Sequence, residues 1–99
     1  MAGRPVQIHP AALEEAESAV EWYGKRSPAA AEAFLNEFDR TIGLISQHPE
    51  RYQSHELKTR RAVLNRFPYL IVFREGIGGI EIVAVAHARR RPGYWRDRA

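Results

Sequence analysis

Along the chain the apolar residues change period twice. Val6 and Ile8 alternate with polar neighbours in PVQIH, a short strand signal that Pro10 ends. From Pro10 to about Arg26, Leu13, Ala16, Val20 and Tyr23 recur at steps of three and four, the spacing of one helix face. Pro10 suits a first turn, where an N–H would have no intrahelical partner, and Glu14, Glu15 and Glu17 lie toward the positive end of the helix dipole. Gly24 with Lys25 and Arg26 marks the stop, and Ser27-Pro28 supplies an N-cap and first-turn pair for a second helix. That helix is expected from Pro28 to about Gln47, with Ala31, Phe34 or Leu35, Phe38, Ile42 and Ile45 on its apolar stripe and His48-Pro49 ending it.

The period then shortens. Arg51 to Thr59 is polar without clear periodicity, and three short runs follow, Arg60 to Phe67, Tyr69 to Arg74 and Ile80 to His87, each bounded by turn residues. The second and third are rich in β-branched and aromatic residues, and the glycine-rich EGIGG between them suits a hairpin. Pro68 cannot donate a ladder hydrogen bond, so it belongs at the turn between the first two runs. The order predicts an α+β fold: an N-terminal strand and a helical hairpin packed on a small antiparallel sheet, with a short basic segment at the C-terminus. A chain of 99 residues suits one domain, residues 1–99, with one core.

Composition narrows the chemistry. No cysteine is present, so packing must hold the fold without disulfides or thiolate metal sites, and a reducing compartment fits. MAGRPVQIHP has no apolar signal region, and the longest apolar runs, Tyr69 to Phe73 and Ile82 to Ala86, are five residues each, too short for a membrane span. A cytoplasmic protein without a membrane partner is expected. The net charge of +3 conceals an asymmetry: residues 1–50 carry four Lys/Arg against eight Asp/Glu, a net −4, and residues 51–99 carry eleven against four, a net +7. A basic half of this size attracts phosphate-rich or acidic partners, although arginines also serve simply to keep a small domain soluble.

His9, His48, His55 and His87 lack metal-ligand spacing and have no clustered carboxylates beside them, so no metal site is expected. EGIGG joins two strands instead of leading into a helix, so it is not a phosphate loop, and no cofactor is implied. Metal-free RNA cleavage needs a base, cations for the pentavalent phosphate and an acid for the leaving oxygen. His87, the arginines and Tyr94 could supply them. Arg60, Arg61, Arg66 or Arg90 could clamp phosphate, and Tyr94 or Trp95 could stack on a base. The competing reading is structural: a histidine ending a strand is more often a cap, and Tyr94-Trp95 could fold back to seal a core edge. Trp22 and Tyr23 are candidate partner anchors whose burial within the domain is the stronger expectation.

Five segments in order, HPAALEEAESAVEWY, SPAAAEAFLNEF, ISQHPERY, RRAVLNRFPYLIVFRE and VAVAHARRRPGYW, resemble the RelE/ParE superfamily of bacterial type II toxins across nearly the whole chain, Ile8 to Arg98. The resemblance implies a helical hairpin over an antiparallel sheet and a growth-inhibiting, plasmid-stabilising protein silenced by a cognate antitoxin that wraps it. RelE-like members cut mRNA in the ribosome with a set of basic residues and a C-terminal tyrosine. On that branch Arg61, His87, Arg90 and Tyr94 are the implied catalytic residues. Val63 and Leu70, however, stand where Lys and Arg are expected, and Ala88 where a late Arg is expected. Each missing cation costs about 2.7 to 4 kcal/mol of transition-state stabilisation. ParE-like members poison DNA gyrase, and their last strand runs into a His-x-Arg segment, matched by His87-Ala88-Arg89. The ParE-like branch is therefore favoured, with Arg60, Arg66, Arg89, Arg91 and Trp95 as target-binding residues. The alternatives are a ribosome-dependent endoribonuclease and a domain that has lost toxicity and only binds a partner.

Overall fold

A computed structural model describes residues 3–99. In chain order it contains β1 (Val6–Ile8), α1 (Pro10–Gly24), α2 (Pro28–Gln47), β2 (Gln53–Ser54), β3 (Arg60–Val63), β4 (Tyr69–Gly76) and β5 (Gly79–His87), with single 3-10 turns at Pro49–Arg51, Glu56–Lys58 and Arg96–Arg98. The five strands form one sheet in the order β1-β5-β4-β3-β2, and the α1–α2 hairpin covers one face. Among the described residues no helix is long and apolar enough to cross a membrane.

Both helices begin where side chains can satisfy free N–H groups. Ser27 Oγ accepts from the Ala30 N–H at 3.0 Å, as its position before Pro28 predicts. For α1 the same service comes from His9, whose Nδ1 accepts from the Ala11 N–H at 3.0 Å, so this histidine is a cap. The second helix buries Phe34, Phe38, Thr41 and Ile45, while Leu35 stays 43% exposed, which resolves the Phe34/Leu35 alternative. The first helix departs from expectation at one position: Ala16 is buried and Val20 and Tyr23 pack on the core, but Ala12 and Ala19 are buried in place of Leu13, which is 45% exposed. Three small residues at helical spacing let α1 lie close to β5 and α2, where a leucine would hold it off. Phe34, fully buried, stacks with Tyr23 at 5.5 Å and meets Phe67 and Tyr69 edge-on at 5.3 and 5.4 Å, joining both helices to the sheet.

The sheet is mixed where an antiparallel one was expected. The meander β3-β4-β5 and the β2–β3 pair are antiparallel, but β1 runs parallel to β5, pairing Val6–Ile8 with Ile80–Ile82. The chain between them runs through both helices and β2 to β4, far longer than the connection a parallel pair requires. The expected strand Arg60 to Phe67 ends at Val63, because Arg66 takes a left-handed φ of 70° that turns Phe67 into the aromatic cluster. Arg51–Thr59, polar and without clear periodicity, contributes the short β2. The EGIGG link contracts to a two-residue connection, Ile77-Gly78, since β4 and β5 pair out to Gly76 and Gly79.

A bulge in β5 decides which residues face which side. Val72 pairs with Ala84 but Phe73 pairs with Ile82, so Val83 is the extra residue. Ile80, Ile82 and Val85 consequently point to the helices, and Val83 and Ala84 both join Val72 and Trp95 in a second cluster on the far face. The C-terminal segment covers that face, which is why Ile82 to Ala86 are all buried.

Gly79 is required at the start of β5. Its φ is +133°, and a Cβ would lie 2.4 Å from the Pro5 carbonyl oxygen, to which the Ile80 N–H donates at 2.8 Å. Gly79→Ala should therefore destabilise the protein by about 1 to 3 kcal/mol, read as a lowered midpoint in denaturant with an unchanged slope. An unchanged midpoint would show that β1 yields without cost.

Candidate functional site

The second half of β5 poses a problem that the chain solves with side chains. Strand β1 accompanies β5 only as far as Ile82, whose carbonyl accepts from the His9 N–H at 2.9 Å, after which the chain turns away into α1. The outward N–H and C=O groups beyond that point need partners. Glu15, one turn up α1, accepts from the Val85 N–H at 3.0 Å, and Arg98, returning from the C-terminus, donates to the Val83 carbonyl at 3.2 Å. The two side chains form a bidentate pair at 2.8 and 3.1 Å, at 15% and 18% exposure. The Tyr94 hydroxyl donates to the other side of Glu15 at 2.6 Å, and the Tyr94 ring lies under Arg90 at 3.8 Å and Arg98 at 5.2 Å.

This arrangement sets the charge states. Burial opposes ionisation of Glu15, but the bonds from Arg98, Tyr94 and the Val85 N–H outweigh it, and its carboxyl titrates below the ordinary range. Burial and the neighbouring Glu15 carboxylate push the Tyr94 phenol far above its usual value. The phenol thus stays protonated, with its proton committed to Glu15.

Beside this cluster a cleft of about 510 Å³ opens between α1 and the end of β5. Trp22, Tyr23, Tyr69, His87 and Arg90 line it, with Glu14, Glu15 and Arg98. His87 meets Tyr69 edge-on at 5.0 Å, and its Nδ1 accepts from the Arg89 N–H at 3.0 Å. A neutral imidazole held this way carries its proton on Nε2 and is a donor, so the nitrogen that could act as a base is already occupied.

The residues singled out in the sequence converge only in part. His87 and Arg90 share the cleft, and Arg90 reaches Tyr94. Arg61 pairs with Val72, so it lies on the far face, where its guanidinium donates to Gln53 Oε1 at 3.3 and 3.1 Å. Val63 stands directly opposite Leu70 in the register, so the two positions where cations were implied form an apolar pair on that same face. Arg60 donates to the Tyr52 carbonyl at 2.8 Å and to Glu75 at 3.2 Å. Arg66 is exposed in the β3–β4 turn, and Arg89 and Arg91 are exposed just after β5.

Two expectations need correction. Trp95, assigned to target binding, is 2% exposed against Val72, Val83 and Ala84, so it cannot stack on a ligand. Trp22, expected to be buried, is 49% exposed with the Arg26 guanidinium 3.3 Å above its ring. In the short basic C-terminal segment, Arg98 seals the β5 edge and Arg96 pairs with Glu56. Glu15 was passed over as one of three acids near a helix start. Its spacing of three from Ala12 and four from Ala19 places it at the rim of the buried stripe, where a carboxylate requires a partner.

Among the described residues no group of three His, Cys, Asp or Glu side chains is placed to hold a metal ion. The sequence matches the family model of the ParE toxin of the type II toxin–antitoxin system, parDE, over residues 6–92. No curated protein matches the chain. Among solved structures, a chain of the chromosomal ParDE toxin–antitoxin system from P. aeruginosa superposes with a TM-score of 0.74 at 16% identity, covering 85% of this chain and 95% of that one. At that identity the likeness is one of fold.

Proposed function

The chain belongs to the ParE toxin family of type II toxin–antitoxin systems, and from that premise we propose that it arrests bacterial growth by binding DNA gyrase in the cytoplasm and is silenced by a cognate antitoxin. The observation that favours a binding toxin over a nuclease is the separation of Arg61 from the other three catalytic candidates. Arg61 and His87 lie on opposite faces of the sheet, as alternation from the Val72 and Tyr69 register positions requires, and the Tyr94 proton is committed to Glu15. A nuclease site of this kind depends on cations and an acid converging on one phosphate. The arginines at the end of β5 are by contrast free to meet a target: among the described residues Arg89, Arg90 and Arg91 form no ion pair.

Induction of the gene alone should stop colony formation, and co-expression with the adjacent antitoxin gene should restore it. In a supercoiling assay, an excess of the purified protein should inhibit gyrase and trap cleavage complexes, and Arg89→Ala/Arg91→Ala should weaken the inhibition several-fold. Unchanged supercoiling at protein excess would remove gyrase as the target. The ribonuclease reading rests on His87 and Arg90 sharing a cleft. Codon-phased mRNA breaks that disappear in His87→Ala would install it instead. Colony formation undiminished by the protein alone would leave only a binding module.

A further inference from the structure

We propose that the cleft between α1 and the end of β5 is a nucleotide-binding site, taking a purine ring against its aromatic wall and a phosphate at His87 and Arg90. This goes beyond the toxin reading and does not depend on it.

The wall is a continuous run of π-systems. Trp22 meets Tyr23 at 4.9 Å, Tyr23 meets Tyr69 at 6.4 Å, and Tyr69 meets His87 at 5.0 Å. All four line the cleft, whose volume of about 510 Å³ lies within the range of roughly 300 to 1,000 Å³ usual for small-molecule sites. Core aromatics need no such opening. Trp22 in particular gains little for the fold from a position at 49% exposure, yet it lines the cleft.

The polar groups separate by sign along the cleft. At the β5 end stand Arg90, which forms no ion pair among the described residues, and His87, whose Nδ1 bond to the Arg89 N–H leaves Nε2–H as a donor. Both suit a phosphate. The α1 wall offers Glu14 and Ser18, acceptors matched to ribose hydroxyls or an exocyclic amine. Glu15, the other carboxylate, is neutralised by its bidentate pair with Arg98 and does not repel an anion. A cationic ligand fits less well, because Arg26 already occupies one face of Trp22 at 3.3 Å and Arg90 stands in the lining itself. The ligand chemistry is therefore planar at one end and anionic at the other, as in a free mononucleotide or in one nucleotide of a single strand.

The test is an NMR titration of the purified full chain with AMP and GMP, with inorganic phosphate and adenosine as controls and oligo(A) as a separate arm. The Trp22 indole N–H should shift saturably while that of buried Trp95 stays still, together with Tyr69, His87 and Arg90 resonances. Trp22→Ala should weaken AMP binding about tenfold, as loss of one base–aromatic stack does. Arg90→Ala should weaken it several-fold and remove most of its salt dependence. The exposure of both side chains keeps these variants folded, which their melting curves check. Oligo(A) binding at least tenfold tighter than AMP with the same Trp22 dependence identifies a strand as the source, and equal affinities identify a free nucleotide; either supports the site. Phosphate binding as tightly as AMP, affinity unchanged in Trp22→Ala, or no saturable shift at millimolar nucleotide would overturn it.

Discussion

Glu15→Ala is expected to lower the thermal midpoint by about 12 to 24 °C, from a loss of roughly 3 kcal/mol in a domain of this size. The substitution removes four bonds at once: two from Arg98, one from the Tyr94 hydroxyl and one from the Val85 N–H. What it leaves costs more than what it takes away. Arg98, at 18% side-chain exposure, keeps its charge without a counter-ion, and the Val85 N–H remains at a strand edge that β1 does not reach. Glu15→Gln tests the charge separately from the shape. Because the Glu15 carboxyl titrates below the ordinary range in the folded protein, its contribution is complete above the unfolded value near 4.5 and is lost as pH falls through the folded one. Wild-type melting temperature should thus decline on acidification below about pH 4.5, and Glu15→Gln should start lower and decline less. Some acid sensitivity will persist, since Arg40 and the Asn65 N–H also hold Glu37 below its usual range. Melts followed by circular dichroism decide the matter. A Glu15→Ala midpoint within a few degrees of wild type would show that water serves the β5 edge equally well.

How far the sequence discloses this architecture depends on the range of the interactions involved. Helix α2 is legible to its ends because its signals are local: Ser27 and Pro28 at one terminus, His48-Pro49 at the other. The meander is legible for the same reason, and so is family membership, which rests on segments along most of the chain. The face that α1 buries is legible only in part: Ala16, Val20 and Tyr23 do turn to the core, but choosing Ala12 and Ala19 over Leu13 depends on how closely the sheet approaches. The bulge at Val83 is not legible: it has no residue signature yet determines that two successive residues share the far face. The site is less legible still. His87 and Arg90 are recognisable by type and place, but only the register shows that Arg61 lies on the other side of the sheet. Glu15 and Arg98, 83 positions apart, carry no sequence mark of their pairing.

Trp95→Ala is expected to cost about 3 to 5 kcal/mol, a large share of the 5 to 15 kcal/mol that stabilises a typical domain. The reason lies in the far face of the sheet. Val72, Val83 and Ala84 are fully buried there, Trp95 is the large side chain that covers them, and both α-helices lie on the opposite side. The indole is delivered by Gly93, whose φ of 75° reverses the chain after Pro92, and the segment is fixed by Tyr94 and Arg98 on Glu15. The family match ends at residue 92, so the seven residues that supply this cover lie outside it. Truncation after Pro92 should consequently destabilise at least as much as Trp95→Ala and expose an apolar sheet face, read as dye binding and loss of solubility. Trp95→Phe, which keeps a ring in place, should cost less than half as much as alanine. The sharper check is additivity. Trp95 and the Glu15 partners share one short segment, so releasing either end should already free much of the other. Glu15→Ala with Trp95→Ala should therefore cost at least about 0.5 kcal/mol less than the two single losses combined. Strict additivity would mean that the two ends of the segment are anchored independently, and that the seal on β5 and the cover on the far face are separate devices.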